Sequence, residues 1–276
     1  MTSHDMPPSS SAAASPAPTT LPHIEQVTLL GSRIALVDYA RTLDWIDAAV
    51  AQDARAYVCV AAVHTVMEAR EDAELRAAVA GATFTVPDGQ PVVWALRALG
   101  HEISTRVYGP ELMARACARA AASGQRQYLY GGRGQDALQL LSERLLARSP
   151  GLPIAGTCPH RFEPPPSEVE LDAIAERINA ARPDVVWVGI GVPRQEKWMA
   201  AMRARLDAPV LVGVGAAFDF HAGLVPQAPP WMQRRGLEWA FRLRQEPRRL
   251  WGRYARHNPR YVAAFARQWA AQRRER

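Results

Sequence analysis

From residue 27 onward, short apolar runs alternate with longer stretches in which apolar residues recur every three or four positions. The runs "VTLL" and "RIALV", separated by Gly31-Ser32, read as a small hairpin. "AYVCVAAV", "TFTV", "RQYLYGG", "LPIAGT", "DVVWVGIG" and "PVLVGVG" read as further strands. Helical periodicity fills 42–52, 73–80, 91–99, 110–122, 136–148, 167–181 and 194–206. The strand runs are apolar almost throughout, which suits strands buried on both faces. The pattern therefore predicts an α/β fold, with a mostly parallel sheet and helices on both faces.

The two ends of the chain break this rhythm. Residues 1–22 are Ser, Ala, Pro and Thr with almost no large apolar side chain, so they are expected to be disordered. They carry neither a basic start nor an apolar block and do not read as a secretory signal. Residues 231–276 form a basic, helical C-terminal appendage, which leaves 23–230 as the α/β core. No apolar stretch approaches the roughly 20 residues of a membrane span.

Charge sharpens that division. The chain has 276 residues, 48% of them hydrophobic, and a net charge of +6 from 33 Lys and Arg against 27 Asp and Glu. The last 46 residues hold 13 Arg and three Glu, so the remainder is net acidic. An anionic partner for the tail follows: membrane lipid, nucleic acid or a phosphorylated ligand. Cys59, Cys117 and Cys158 are scattered among apolar residues and suit reduced, packed thiols in the cytoplasm.

Three strands end in glycine: Gly131-Gly132, Gly189-Ile190-Gly191 and Gly213-Val214-Gly215. In an open parallel sheet the carboxyl ends of the strands form the ligand crevice, and three glycine turns there favour a nucleotide or phosphate ligand. A helix opening at Pro193 would add N–H groups for an anion. The sheet is Rossmann-like, but without a GxGxxG site, because position 194 is Arg, and no GxxxxGK[ST] loop occurs.

Asp88, in "VPDGQP", follows a strand and precedes a helix. Asp-Gly after Pro is ordinary turn chemistry, but a carboxylate at that sheet edge could also serve as a general base. Gln195 and Glu196 fall in a helix's first turn, where they either cap it or hydrogen-bond a sugar or base. Asp219 and His221 lie beside the third glycine turn and are too few for a metal site. His64 reads as a core histidine, and His160 and His257 as solvated loop residues.

In the tail, Pro247 and Asn258-Pro259 read as two helix starts. Tyr261, Phe265 and Trp269 share one face of the second helix, and Arg260, Arg267 and Arg274 another. In the first helix, Arg249, Arg253 and Arg256 share a face, while Leu250, Trp251 and Tyr254 share a different one. Such helices suit a membrane surface, or they pack their aromatic residues on the core and leave the arginines solvated.

Several motifs in fixed order then carry a resemblance: "PDG" (87–89), "YGG" (130–132), "VGIGVPRQEKW" (188–198), "GVGAAFDFHAG" (213–223), "APPW" (228–231), "GLEW" (236–239) and "EPRRLWGRY" (246–254). The chain resembles the WecG/TagA/CpsF family of bacterial glycosyltransferases from about Val27 to about Tyr261. The resemblance implies inverting transfer of a sugar from a UDP-sugar to a polyprenyl-diphosphate-linked sugar, in surface-polysaccharide or wall-polymer synthesis. It implies a peripheral enzyme on the cytoplasmic face of the membrane, with no cofactor and no metal.

By that likeness Asp88 is the catalytic base. Gly131, Gly132, Gly189, Gly191, Gln195, Glu196 and Asp219 fall in the nucleotide-sugar crevice, and Arg242, Arg249, Arg253 and Arg256 face the acceptor diphosphate and the membrane. The donor sugar stays open among N-acetylmannosamine, its uronic acid and glucose. The resemblance also allows a homo-oligomer.

Two positions depart from the family's pattern. Val60, Ala61 and Ala62 stand where Thr-x-Asn is frequent, with His64-Thr65 nearby to compensate. Gln227 replaces an Arg before Ala-Pro, with Arg234 or Arg235 as substitutes. A UDP-sugar-binding regulatory module recruited to the membrane without turnover is the alternative. Nucleic-acid binding is disfavoured, because the tail's aromatic residues segregate from its arginines.

Overall fold

The computed structural model describes residues 20–162 and 164–275; within the last helix nothing is described for the side chains of Arg249 and Glu275. Most of the 1–22 segment expected to be disordered therefore lies outside the described residues.

Among the described residues the strands are β1 (Gln26–Leu29), β2 (Ser32–Ala35), β3 (Ala56–Ala61), β4 (Phe84–Pro87), β5 (Gln127–Gly131), β6 (Ile154–Cys158), β7 (Val185–Gly189) and β8 (Val210–Gly213). The helices are α1 (Tyr39–Ala51), α2 (Val63–Ala69), α3 (Ala73–Gly81), α4 (Gln90–Ala98), α5 (Gly109–Ser123), α6 (Gln135–Arg148), α7 (Glu168–Ala180), α8 (Arg194–Met202), α9 (Ala217–His221), α10 (Pro230–Arg234), α11 (Glu238–Gln245) and α12 (Pro247–Glu275).

Strands β1 and β2 pair as the expected antiparallel hairpin. The other six form one parallel sheet in the order β4-β3-β8-β7-β5-β6. Alternation within each strand explains why they are apolar throughout. Val58, Val60, Leu129, Val185, Trp187, Val210 and Val212 face a core closed by α1, α5, α6 and α9. Their neighbours Tyr57, Cys59, Tyr128, Tyr130, Val186, Val188 and Leu211 face a second core closed by α7 and α8. Each such fully buried aliphatic side chain contributes about 1.5–3 kcal/mol, and charge has no place on either face. All three cysteines are free and buried.

Local signals account for several helix ends. Ser167 and Glu170 form a capping box at the start of α7, and Asp38 and Asp72 cap α1 and α3 through their side chains. Because every strand of the large sheet is parallel, the segments after β3, β4, β5, β7 and β8 leave the same edge. β4 lies on one side of β3 and β5–β8 on the other, so the winding reverses there and the crevice opens at that edge.

The C-terminal region differs from the sequence expectation. α12 is one helix of 29 residues that runs through Pro259, with no new start at Asn258-Pro259. Proline removes one backbone donor and tends to kink a helix, but tertiary contacts grip both sides of it. Leu250 and Tyr261 are buried, and Phe265 and Trp269 pack with Tyr261 against a third core made by the hairpin, α2 and α4. The Tyr261 hydroxyl donates to the Pro91 carbonyl (3.0 Å) and Trp269 Nε1 to the Ala98 carbonyl (3.2 Å). Gln268 accepts from Leu30 N–H (2.8 Å) and donates to the Thr28 carbonyl (3.0 Å). The aromatic face of the second half is therefore a packing face. Leu250 and Trp251 do not share an environment either: the first is buried and the second is 65% exposed.

Candidate active site

Asp88 stands one residue past β4, where its N–H donates to the Ala61 carbonyl at the end of β3 (2.9 Å). The nearby Gly109 N–H at the start of α5 favours its charged form, while Oδ1 has no hydrogen-bond partner among the described residues. Loss of hydration pushes the Asp88 carboxyl up to about 7. Arg106 opposes that shift, and Glu238 adds to it. A carboxylate poised near neutrality suits a general base.

Two cavities meet at this residue. One, of about 360 Å³, runs along the glycine turns and is lined by Gly132, Gly189, Gly191, Gln195, Asp219 and their neighbours. The other, of about 270 Å³, lies between α4 and the C-terminal helices, with Ala62, Pro91, Trp239, Tyr254 and Tyr261 in its walls. His64, Asp88, Glu238, Arg242 and Arg253 line both.

The glycines have separate tasks. A Cβ on Gly189 would stand 2.5 Å from the Phe218 ring, and one on Gly131 would stand 2.7 Å from the Gly189 carbonyl oxygen. Those two glycines let protein pack against protein. Gly132 (φ +73°) turns the chain over Leu138 and Phe218. Gly191 is different: it has φ +78° and nothing within 4 Å of the missing Cβ, so it leaves the cavity open to a ligand. The Gln195 N–H, expected to be free for an anion, donates to the Gly191 carbonyl (3.0 Å).

Gln195 lines the glycine-turn cavity, but Glu196 does not. The latter is fully buried behind it and accepts from Gln195 Nε2 through Oε1 at 2.8 Å. Asp219 reaches the cavity paired with Arg133, whose Nε and Nη2 donate to the two carboxylate oxygens at 2.9 Å each. Arg133, Arg194, Arg242 and Arg253 together give the cavity an excess of positive charge over Asp88, Asp219 and Glu238.

Arg256 stands elsewhere. With Arg260 it pairs with Glu71 and lines neither cavity. The side chain of Arg249 lies outside the described residues.

The histidines correct the sequence reading. His64 is no core residue: it stands where the cavities meet, and burial, with Arg253 and Arg242 nearby, pushes it down to about 3, so it is neutral. His160 is not merely solvated, since its Nδ1 hydrogen-bonds the Tyr130 hydroxyl (2.8 Å). His257 is buried. His221 donates from Nε2 to the Pro110 carbonyl (2.8 Å) and accepts from Arg148 at Nδ1 (3.0 Å), so it is structural.

Of the two departures, Ala62 lines the second cavity, whereas Gln227 meets the Tyr108 hydroxyl at 3.5 Å. Arg234 and Arg235 are exposed and line neither cavity. Sequence reasoning missed Arg106, Arg133 and Glu238. Glu238 sits inside the "GLEW" landmark, and Arg133 directly follows "YGG". Nothing local marks Arg106. Among the described residues, no group of three or more His, Cys, Asp or Glu is gathered to hold a metal ion.

Residues 27–275 match the family model described as "Glycosyl transferase WecG/TagA/CpsF family". The chain belongs to this family. It is similar to N-acetylglucosaminyldiphosphoundecaprenol N-acetyl-beta-D-mannosaminyltransferase of Bacillus spizizenii, 30% identical over 213 residues that cover 77% of this chain and 79% of the relative. A protein of the same description from Bacillus subtilis is 30% identical over 169 residues, covering 61% and 63%.

In this family member the two cavities converge on Asp88. No helix among the described residues is long and apolar enough to cross a membrane. Trp231, Leu237, Trp239 and Trp251, on or next to α10, α11 and α12, are nevertheless exposed.

Proposed function

We propose that this chain transfers a sugar, with inversion, from a UDP-sugar to a polyprenyl-diphosphate-linked sugar. The observation that carries the reading is the half-buried Asp88 carboxylate in the wall common to both cavities. The UDP-sugar occupies the glycine-turn cavity and the acceptor sugar the cavity beside α4 and α12. The relatives' names make N-acetylmannosamine the favoured donor sugar and diphosphate-linked N-acetylglucosamine the favoured acceptor.

In the reaction an acceptor hydroxyl loses its proton to Asp88, and its oxygen bonds to the anomeric carbon. The bond from that carbon to the UDP oxygen breaks, and the electron pair leaves with UDP. Asp88 supplies about 10²- to 10⁴-fold of the rate. Arg242 and Arg253 stand between the cavities and stabilise the charge growing on the diphosphate. Arg133, oriented by its bidentate pairing with Asp219, does the same from the other wall. These arginines take the charge-neutralising role without a metal ion. Neutral His64 adds no further charge at the junction.

The enzyme works from the membrane surface, with the exposed tryptophans of α10–α12 at the lipid interface and the surrounding arginines toward anionic headgroups. Mass spectrometry of a polyprenyl-diphosphate-linked N-acetylglucosamine acceptor, incubated with a panel of UDP-sugars, tests the reading. Addition of one sugar supports it, with NMR of the new linkage reporting the anomer. An acceptor unchanged by every donor would contradict it.

A further inference from the structure

Gln195 and Glu196 are adjacent in sequence, 2% and 0% exposed, and joined side chain to side chain at 2.8 Å. Two of their atoms, Gln195 Oε1 and Glu196 Oε2, are buried without a hydrogen-bond partner among the described residues. A buried polar atom with no partner costs about 1–3 kcal/mol, so its placement requires an explanation. Gln195 Oε1 lies beside the missing Cβ of Gly215, 3.4 Å away, and the Gly191 Cα is 3.9 Å from that same point. Gly191, Gly215 and Gln195 all line the glycine-turn cavity. On the other side, a Cβ on Gly213 would stand 3.2 Å from Nε2 and 3.3 Å from Cδ of the amide. Gly213, at the end of β8, and Gly215 just beyond it thus make room for an amide as well as for a ligand.

We propose that Glu196 is a positioning residue: it fixes the Gln195 amide with its oxygen toward the cavity, and that oxygen takes an O–H or N–H from the donor nucleotide-sugar. The inference rests on the glycine-turn cavity being the donor site. Its logic is one of hydrogen-bond polarity. Nε2 gives one N–H to Glu196 and lies on the Gly213 side, while Oε1 lies on the side of Gly215 and Gly191, so the atom the amide turns to the ligand is an acceptor. A phosphate oxygen, itself an acceptor, has nothing to gain there. The matching groups are a ribose or sugar hydroxyl, an acetamido N–H, or the imide N–H of uracil. The diphosphate is left to the arginines.

Burial pushes the Glu196 carboxyl up to about 7, with Glu68 adding to the effect and the bond from Gln195 opposing it. A proton on Oε2 leaves Oε1 free to accept, so the amide keeps its orientation in either state.

The test is calorimetric binding of UDP-N-acetylmannosamine, with UDP alone as a second probe, to the full chain and its variants, and with melting temperatures followed throughout. Glu196→Leu and Gln195→Ala should each weaken UDP-sugar binding roughly tenfold. The double variant should bind no more weakly than Gln195→Ala, because one residue acts through the other. Glu196→Gln keeps an acceptor for Nε2 and should stay within about threefold of wild type. It serves even if the leucine variant does not fold.

Binding by Glu196→Leu equal to wild type would overturn the proposal. So would penalties that add in the double variant, or a Glu196→Gln loss as large as that of Gln195→Ala. A wild type that binds neither UDP-sugar nor UDP would instead overturn the donor-site reading beneath it.

Discussion

Arg106 Nη1 donates to Glu238 Oε2 at 2.9 Å with both side chains nearly out of solvent, joining the segment before α5 to α11. Arg106 also donates to Gln233 Oε1 at 3.0 Å and lies over the Tyr108 ring, so the C-terminal helices are tied to the sheet edge beside Asp88. The pair acts on Asp88 with opposite signs, the guanidinium favouring the carboxylate and Glu238 the protonated acid.

The rate should therefore follow the ionisation of Asp88. With its carboxyl near 7, kcat/KM should rise with pH through about 7. Glu238→Gln removes a negative charge and should move that limb to lower pH. Arg106→Gln should move it higher, and by stranding a buried carboxylate should cost about 3 kcal/mol of stability. In the folded chain Asp88 keeps its proton above its ordinary value of 3.8. The native state thus binds more protons than the unfolded state between about 4 and 7, and this group's contribution to stability falls as pH rises across that window. Limbs that stay together in all three proteins would exclude this electrostatic arrangement.

Gly189 and Gly191 should separate cleanly. Gly189→Ala drives a methyl into the Phe218 ring and should destabilise by about 1–3 kcal/mol. Gly191→Ala meets no atom but places alanine at φ +78°, at a cost of about 1–2 kcal/mol. Its larger effect should be on UDP-sugar binding, since its methyl faces the cavity. Melting curves and calorimetry on the two variants check this, and a Gly191→Ala that binds like wild type would remove the ligand from that turn.

Trp231→Ala and Trp251→Ala should leave stability within about 0.5 kcal/mol, because both rings are exposed and line neither cavity. Their sedimentation with anionic phospholipid vesicles should fall several-fold, and raised salt should weaken what remains. Unchanged sedimentation would show that this face does not meet lipid.

The fold was largely legible because the strand runs are long, apolar and bounded by glycine or proline. The start of α2 was not, since "AYVCVAAV" stays apolar to Val63 while β3 ends at Ala61. That single misplacement hid His64, which a helix's first turn carries to the cavities in place of a strand's buried face. The break expected at Pro259 failed because contacts on both flanks, absent from any local window, hold α12 continuous.

The places of Asp88 and Gln195 on the crevice wall were readable from their positions after strands. Arg106 meets Glu238 across 132 residues, and Arg133 meets Asp219 across 86. Such pairs leave no spacing signal. Glu196 was placed on the correct turn but given a ligand contact, when its side chain lies behind Gln195.

The most direct test of the account is UDP release from UDP-N-acetylmannosamine with and without diphosphate-linked N-acetylglucosamine, for wild type and Asp88→Asn side by side. Release that needs both substrates, falls about 10²- to 10⁴-fold in the variant, and leaves UDP-sugar binding intact is the predicted result. Equal release from the two proteins would remove Asp88 from the chemistry. Binding of the UDP-sugar by wild type without release, across a panel of acceptors, would make the chain a binding module and contradict the account.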